Sequence, residues 1–185
     1  MDFQAAVSGS SIVQNVFGVK YRLMGDLIYD AYPVVSLGLQ HKSLRDTATA
    51  KAVGANDTSG TDFYISTARV WLDGVAHLTT FANVNLRYSN ANQLGILGFG
   101  GDEEDRQWML ELAAALFINS RLAIGFEYRQ KPDNLSSLKE DDWSDLFVAY
   151  FPSKSVSLTV AFLDLGDIAG QLDQTVFYFS ITGSY

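Results

Sequence analysis

The most constraining feature of this sequence is an alternation of polar and apolar side chains, repeated in nine stretches of about ten residues each. A period of two residues is that of a β-strand, whose successive side chains point to opposite faces. Segments rich in Gly, Asn, Asp and Ser, which favour turns, separate the stretches. We therefore predict nine strands, at residues 12–23, 32–42, 62–72, 77–89, 107–118, 121–130, 143–151, 156–164 and 174–185.

The two faces of the predicted strands differ in charge. One face is uncharged at mid-strand, and on it we place Val19, Leu37, Val70, Val84, Leu112, Ile124, Val148, Val160 and Phe179. The other face holds six basic and three acidic side chains, namely Lys20, Arg22, Lys42, Arg69, Arg87, Glu111, Glu127, Arg129 and Asp145. A soluble β-sandwich also alternates, with its apolar face inward, so this pattern alone is compatible with two architectures.

Strand length, aromatic placement and connection length favour a membrane barrel over a sandwich. About ten tilted residues cross a bilayer, whereas globular strands usually have five or six. Short and long connections alternate, as tight inner turns and longer outer loops do in such barrels. Tyrosines fall near strand ends on the uncharged face, as in an aromatic girdle: Tyr21, Tyr88, Tyr128, Tyr150 and Tyr185. We predict an all-β, antiparallel up-and-down transmembrane β-barrel, with the charged set lining its lumen and the uncharged set facing lipid.

The strand count predicts a single barrel domain over residues 1–185 that lacks its N-terminal strands, because single-chain bacterial barrels have even strand numbers. An exported protein needs a signal peptide, and Met1–Ser11 has neither a basic start nor an apolar stretch. We therefore expect further residues before this sequence in the full-length protein. No run of 18 apolar residues is present, so the sequence predicts no transmembrane helix.

The C-terminal segment has apolar side chains at alternate positions and a terminal aromatic residue, formed by Phe177, Phe179, Ile181 and Tyr185. This pattern resembles the signal by which outer-membrane barrels are passed to their assembly machinery, although Gly183 interrupts it. It predicts location in the bacterial outer membrane. The expected partners are membrane lipid, lipopolysaccharide and the barrel assembly machinery.

Several segments resemble an uncharacterised family of outer-membrane-type proteins, domain of unknown function 3034. The resemblance spans nearly the whole chain in order, through FGVKYRL (17–23), VSLGLQHK (35–42), GTDFY (60–64), NQLGILGFGGD (92–102), EYRQKPDNL (127–135), EDDWSDLFVAYFP (140–152) and DLGDIAG (164–170). Members of this family are expected to carry about a hundred further residues before the start of this chain. The resemblance implies a β-barrel fold but no activity and no catalytic residues.

Composition excludes several classes of function. A net charge of −8 argues against nucleic-acid binding, and the absence of cysteine removes disulfides, thiol nucleophiles and cysteine-based zinc sites. An acidic run in one long loop is a weak candidate for a divalent cation: Asp102, Glu103, Glu104 and Asp105. Its spacing matches no EF-hand, and solvated loop is the alternative interpretation. The sequence predicts no metal and no cofactor.

The functional hypothesis is a barrel of unknown specific role that acts as a passive pore or transporter for small solutes. Alternatively, the charges of the polar face pair across strands and fill a closed interior. A second hypothesis is a soluble or periplasmic β-sandwich or lipocalin-like binding protein. A third is an outer-membrane lipid hydrolase that uses His41 with Ser43 or Ser36. No G-x-S-x-G or H-E-x-x-H motif is present, so the sequence predicts a protein that is not an enzyme.

Overall fold

The chain folds into one antiparallel sheet of ten strands in which every strand pairs with its neighbour in sequence. The computed structural model describes residues 2–7, 10–45, 47–103, 105–167 and 171–183. The strands are β1 (Asp2–Val7), β2 (Ser10–Met24), β3 (Val34–Leu44), β4 (Ser59–Trp71), β5 (Thr79–Ser89), β6 (Gln107–Asn119), β7 (Leu122–Arg129), β8 (Trp143–Ser153), β9 (Val156–Asp164) and β10 (Thr175–Gly183).

The all-β, up-and-down antiparallel arrangement predicted from the alternation is confirmed, and β2–β10 correspond to the nine predicted strands. The strand β1 was not predicted; it is short and pairs with the first half of β2. Closure of the sheet is not observed. Within the described residues β1 and β10 are the outermost strands and do not pair with each other, so each leaves one edge without a neighbour.

One face of the sheet, which we call the apolar face, is exposed over its whole width. It carries Phe17 and Val19 on β2, and its exposed fractions include 67% at Phe17, 68% at Leu146 and 77% at Phe177. The opposite side, the polar face, carries Lys42 and Arg87, which are buried. In the described part of the chain no second sheet packs on the apolar face.

Strand β4 presents its side chains in the opposite sense to the prediction. Its register pairs Val70 with Phe81 on the polar face, whereas the sequence placed Val70 on the apolar face. Arg69, predicted on the polar face, instead pairs with Ala82 on the apolar face. Arg69 lies near the strand end. Its guanidinium donates a hydrogen bond of 2.7 Å to the carbonyl oxygen of Ala31 and lies over the ring of Trp71. These contacts let a long cationic side chain lie along an apolar surface.

The connections divide the sheet into two ends. Residues 25–33, 72–78, 120–121 and 154–155 join strands at the short-loop end, and residues 45–58, 90–106, 130–142 and 165–174 join them at the long-loop end. The long-loop end contains a short helix α1 (Ala48–Ala52) and a 3₁₀ turn (Asn92–Gly95), and a second 3₁₀ turn (Val75–His77) lies at the other end. None of the helices in the described ranges has the length and apolar composition of a membrane span.

Candidate functional site: the polar face and its loop cap

A chain of ion pairs crosses the polar face near the long-loop end, starting at Asp62 on β4. Nζ of Lys42 lies 2.7 Å from Oδ2 of Asp62, and Nη1 of Arg87 lies 3.5 Å from the same oxygen. The hydroxyl of Ser89 donates a hydrogen bond to Oδ1. Asp62 has no solvent exposure, so one carboxylate that is shielded from water forms ion pairs with two cations.

The ion pairs continue to β6 and β7 through Glu111. Nε of Arg87 lies 2.8 Å from Oε1 of Glu111, and Nη2 of Arg87 donates to Oε2 at 3.1 Å, which is a bidentate contact. Nε of Arg129 reaches Oε1 of Glu111 at 3.0 Å. The amide of Asn85 also donates to Glu111, and the Arg87 guanidinium stacks 5.2 Å from the centroid of the Tyr64 ring. Five consecutive strands, β3 to β7, are therefore linked by charge.

The predicted polar-face residues lie in different environments. Lys20 and Arg22 are on the polar face of β2 but are exposed. Glu127 and Asp145 lie directly opposite each other on β7 and β8, beside the ion-pair chain, and neither takes part in its ion pairs. Asp62, the most buried member of that chain, was missed, because the prediction assigned even-numbered positions of β4 to the apolar face. The signal that could have found it is the pair of cations, Lys42 and Arg87, on the two adjacent strands.

The long loops pack against one another to form a loop cap, which comprises residues 47–58, 90–103, 105–106, 130–142 and 165–167. The amide of Asn134 donates to Oδ1 of Asn92 at 2.8 Å, and the amide of Asn92 donates to the carbonyl of Gly100 at 2.9 Å. The backbones of Asp57 and Phe99 exchange two hydrogen bonds of 3.0 and 2.9 Å. Buried amides that satisfy each other in this way give the cap a defined structure.

Phe99 is the apolar centre of the loop cap. It has no solvent exposure, and its ring lies against Gly60 and Gly95, where an added Cβ would overlap the ring atoms. Two further leucines of the cap are buried: Leu97, two residues before Phe99, and Leu135, in the neighbouring loop. Glycine is therefore needed at positions 60 and 95, because the Phe99 ring lies close to the backbone there. Gly95 also adopts a positive φ of 95°.

Glu140 joins two loops of the cap through its carboxylate. Both oxygens lie 2.9 Å from the backbone nitrogen of Gln93, which donates to them. Burial raises the pKa of Glu140 to about 7, against the lowering effect of the Gln93 hydrogen bond and the nearby Lys131 ammonium. Burial likewise lowers the pKa of Lys131, whose Nζ donates to the carbonyls of Leu165 and Asp167.

Residues of the loop cap lie beside the ion-pair chain at the long-loop end of the polar face. The space between the ion-pair chain and the cap residues Leu94, Lys131 and Pro132 has a volume of only about 10 Å³. This volume is about the minimum that holds one water molecule. Further along the polar face, towards β8–β10, a hollow of about 380 Å³ remains.

The apolar face carries its own hollow, of about 550 Å³, over β6, β7 and β8. Its walls include Leu116, Ile124, Phe126, Leu146 and Val148. Near the long-loop end of the same face, Tyr88 and Trp108 stack with ring centroids 4.9 Å apart. The lipid-facing role predicted for this surface stays a prediction.

The acidic loop run is engaged in contacts within the cap. The carboxylate of Asp102 accepts hydrogen bonds from the backbone nitrogen and the hydroxyl of Ser136, which lower its pKa. Asp105 accepts from the amide of Asn56 at 3.1 Å, and Glu103 is exposed. Glu104 lies outside the described residues. Among those that are described, no three acidic, histidine or cysteine side chains are arranged to hold a metal ion.

Of the residues of the hydrolase hypothesis, His41 and Ser36 are not brought together, whereas Ser43 lies on the same face of β3 as His41. Nδ1 of His41 lies 3.0 Å from Oγ1 of Thr61, and both residues are on the apolar face of their strands. Ser36 is buried on the polar face, at the other end of β3. The hydrolase hypothesis therefore gains no geometric support from His41 and Ser36.

Of the C-terminal pattern, Phe177, Phe179 and Ile181 lie on β10 and are exposed on the apolar face. Tyr185 lies outside the described residues. The role of this segment in assembly stays a prediction.

Comparison with known proteins gives a family but no activity. Nothing among the curated proteins or the solved structures matches the chain. One family model, described as protein of unknown function DUF3034, matches residues 2–182. The chain therefore belongs to the DUF3034 family.

Proposed function

We propose that this chain forms the wall of a β-barrel in the bacterial outer membrane, with its apolar face in hydrocarbon and its polar face towards an interior that small solutes cross when the loop cap moves. One observation carries the proposal: the apolar face is exposed along β2–β10, while the opposite face buries charged side chains. A water-soluble sheet has the reverse distribution.

The energetics of the two faces support a bilayer as the surrounding medium. Burying apolar surface contributes about 25 cal/mol per Å², so an exposed face of large aliphatic and aromatic side chains is unfavourable in water and favourable in hydrocarbon. Charges that hydrocarbon would not tolerate are paired with one another on the other face, in the ion-pair chain formed by Lys42, Asp62, Arg87, Glu111 and Arg129.

A bilayer also demands a partner for each sheet edge, because hydrocarbon offers no hydrogen bonds to free backbone groups. The proposal therefore requires that β1 and β10 pair with each other or with another strand in the membrane. On this topology the long-loop end is the outer side, where lipopolysaccharide surrounds the cap, and β10 presents Phe177 and Phe179 to the assembly machinery.

The two faces can be tested with single introduced cysteines, because the chain contains none. In β9, Val160 lies on the apolar face and its neighbour Thr159 on the polar face, so V160C and T159C form a matched pair. Each is labelled with a nitroxide, and the protein is reconstituted in lipid vesicles. We expect the label at 160 to collide more often with dissolved oxygen than with a water-soluble nickel complex, because oxygen concentrates in hydrocarbon.

The label at 159 is expected to show less of this preference for oxygen. Equal access of the nickel complex to both sites, or a protein that stays in solution without detergent, would support the soluble β-sandwich or lipocalin-like alternative and refute the proposal. Location is tested separately, by fractionating cells and asking whether the protein is in the outer membrane with heat-modifiable gel mobility.

A further inference from the structure

The hollow of about 380 Å³ on the polar face lies over β7–β10 and is within the size range of sites for small molecules. Its walls contain two carboxylates, Glu127 and Asp145, and three aromatic rings, those of Trp143, Phe147 and Tyr178. Tyr178, on the outermost strand β10, is half exposed, at 50%.

The two carboxylates lack the counter-charge that like charges in this position need. Glu127 and Asp145 are direct cross-strand partners, an arrangement that destabilises a sheet when both are ionised. In the described portion of the chain neither has an ion pair, and Oδ1 of Asp145 is shielded from solvent without a hydrogen-bond partner. The neighbouring cation, Arg129, is occupied by Glu111 at 3.0 Å.

The rings indicate which kind of cation would complete this site. A metal ion prefers several oxygen ligands, and no group of three suitable side chains exists among the residues with described positions. Aromatic faces attract organic cations, and the volume of the hollow accommodates an apolar body beside the charge. We propose that this hollow binds a small organic ammonium ion, with its charged group between Glu127 and Asp145 and its apolar part against Trp143, Phe147 and Tyr178.

This proposal depends on the arrangement of the polar face and not on the surrounding membrane, so it can be tested in detergent. The full chain is titrated calorimetrically with benzylammonium chloride, and then with benzyl alcohol and sodium benzoate, which keep the ring and change the charge. We expect saturable binding of benzylammonium and at least tenfold weaker binding of the other two. Equal binding of all three compounds would refute a cation site. Tighter binding of calcium chloride, with displacement of the amine, would also refute the proposal.

Substitutions locate the site. The double variant E127Q/D145N is expected to bind benzylammonium at least tenfold more weakly than the unaltered chain. The control E103Q/D141N removes the same charge from exposed loop positions and is expected to stay within twofold of the original affinity. Unchanged affinity in E127Q/D145N would overturn the proposal.

Stability provides a second readout that separates loss of binding from loss of folding. Without ligand, E127Q/D145N should unfold at a higher denaturant concentration than the unaltered chain, because the repulsion between the two carboxylates is removed. Saturating benzylammonium should raise the unfolding midpoint of the unaltered chain but not that of the variant. A ligand-induced shift of the same size in both proteins would place binding elsewhere and contradict the proposal.

Discussion

At Asp62 two cations meet one carboxylate that water does not reach, with Lys42 at 2.7 Å and Arg87 at 3.5 Å. Removing this charge leaves both cations buried with less compensation. We expect D62N to lower the free energy of unfolding by about 3–5 kcal/mol, the usual cost of breaking a buried pair from one side. Denaturant unfolding in detergent measures the change.

The control for this prediction is D73N, which removes a carboxylate from the exposed turn between β4 and β5 and should change stability by less than about 1 kcal/mol. Adding K42M to D62N should recover part of the loss, since one unpaired cation is then removed. Strictly additive losses in the double variant would show that the two residues do not act as a pair.

Glu140 makes the stability of the loop cap depend on pH. Its pKa of about 7 exceeds the ordinary value of 4.5, so the folded chain holds a proton that the unfolded chain releases between these values. The folded state is therefore most favoured below pH 4.5 and loses this contribution as pH rises to 7. We expect E140Q to be more stable than the unaltered chain by about 1–3 kcal/mol at pH 8 and nearly equal to it at pH 4.5.

Denaturant midpoints at the two pH values test this expectation, with E103Q as the control because Glu103 is exposed on the same cap. The pH dependence of E103Q should match that of the unaltered chain. If E140Q also matches the unaltered chain at both pH values, Glu140 is not the titrating group.

At the scale of elements, β4 shows why alternation alone did not settle every face. Both parities of this strand carry apolar side chains, with Phe63 and Ile65 on one face and Tyr64 and Val70 on the other. A shift of one residue exchanges the faces, so the choice depends on neighbouring strands. Here Asp62 neutralises the charges of Lys42 and Arg87 on the two adjacent strands, and the sequence of β4 alone does not contain this information.

The pairing of β3 with β4 also depends on a glycine. Gly38 lies opposite Tyr64 on the polar face, and the tyrosine ring occupies the space that a Cβ at residue 38 would need. We expect G38A to displace this ring, which stacks with Arg87, and to lower the free energy of unfolding by about 1–3 kcal/mol.

The matched control is G18A on the adjacent strand β2. An added Cβ there lies 3.3 Å from Cγ of Gln40, the flexible part of a side chain, so a much smaller loss is expected. Equal destabilisation in G18A and G38A would show that the cost comes from backbone conformation and not from the Tyr64 ring. Unfolding midpoints of the two variants decide between these causes.

For the whole molecule, the sequence predicts what is local and periodic. The positions of strands β2–β10, and the direction in which their side chains point in every strand except β4, follow from the alternation of polar and apolar residues within each strand. The loop cap does not, because its stability comes from contacts between loops far apart in sequence, such as Asn92 with Asn134. The hollow beside Glu127 likewise requires the register of four strands before its lining residues meet.

The proposed pore function predicts how the loop cap should affect conduction. On that proposal, and because the hollow between the cap residues and the ion pairs has a volume of only about 10 Å³, we expect the unaltered chain in a planar bilayer to be closed most of the time. Phe99 is the buried centre of the cap, so F99A should loosen the cap by about 3–5 kcal/mol while leaving the ion pairs in place. We expect F99A to raise the open fraction in single-channel recordings at least tenfold.

The control is F162A, which truncates a phenylalanine on the apolar face and should keep the open fraction of the unaltered chain. A chain that conducts freely without substitution would show that the cap does not close the interior, whereas silence of both the unaltered chain and F99A in all salts would remove the pore and leave a closed structural barrel.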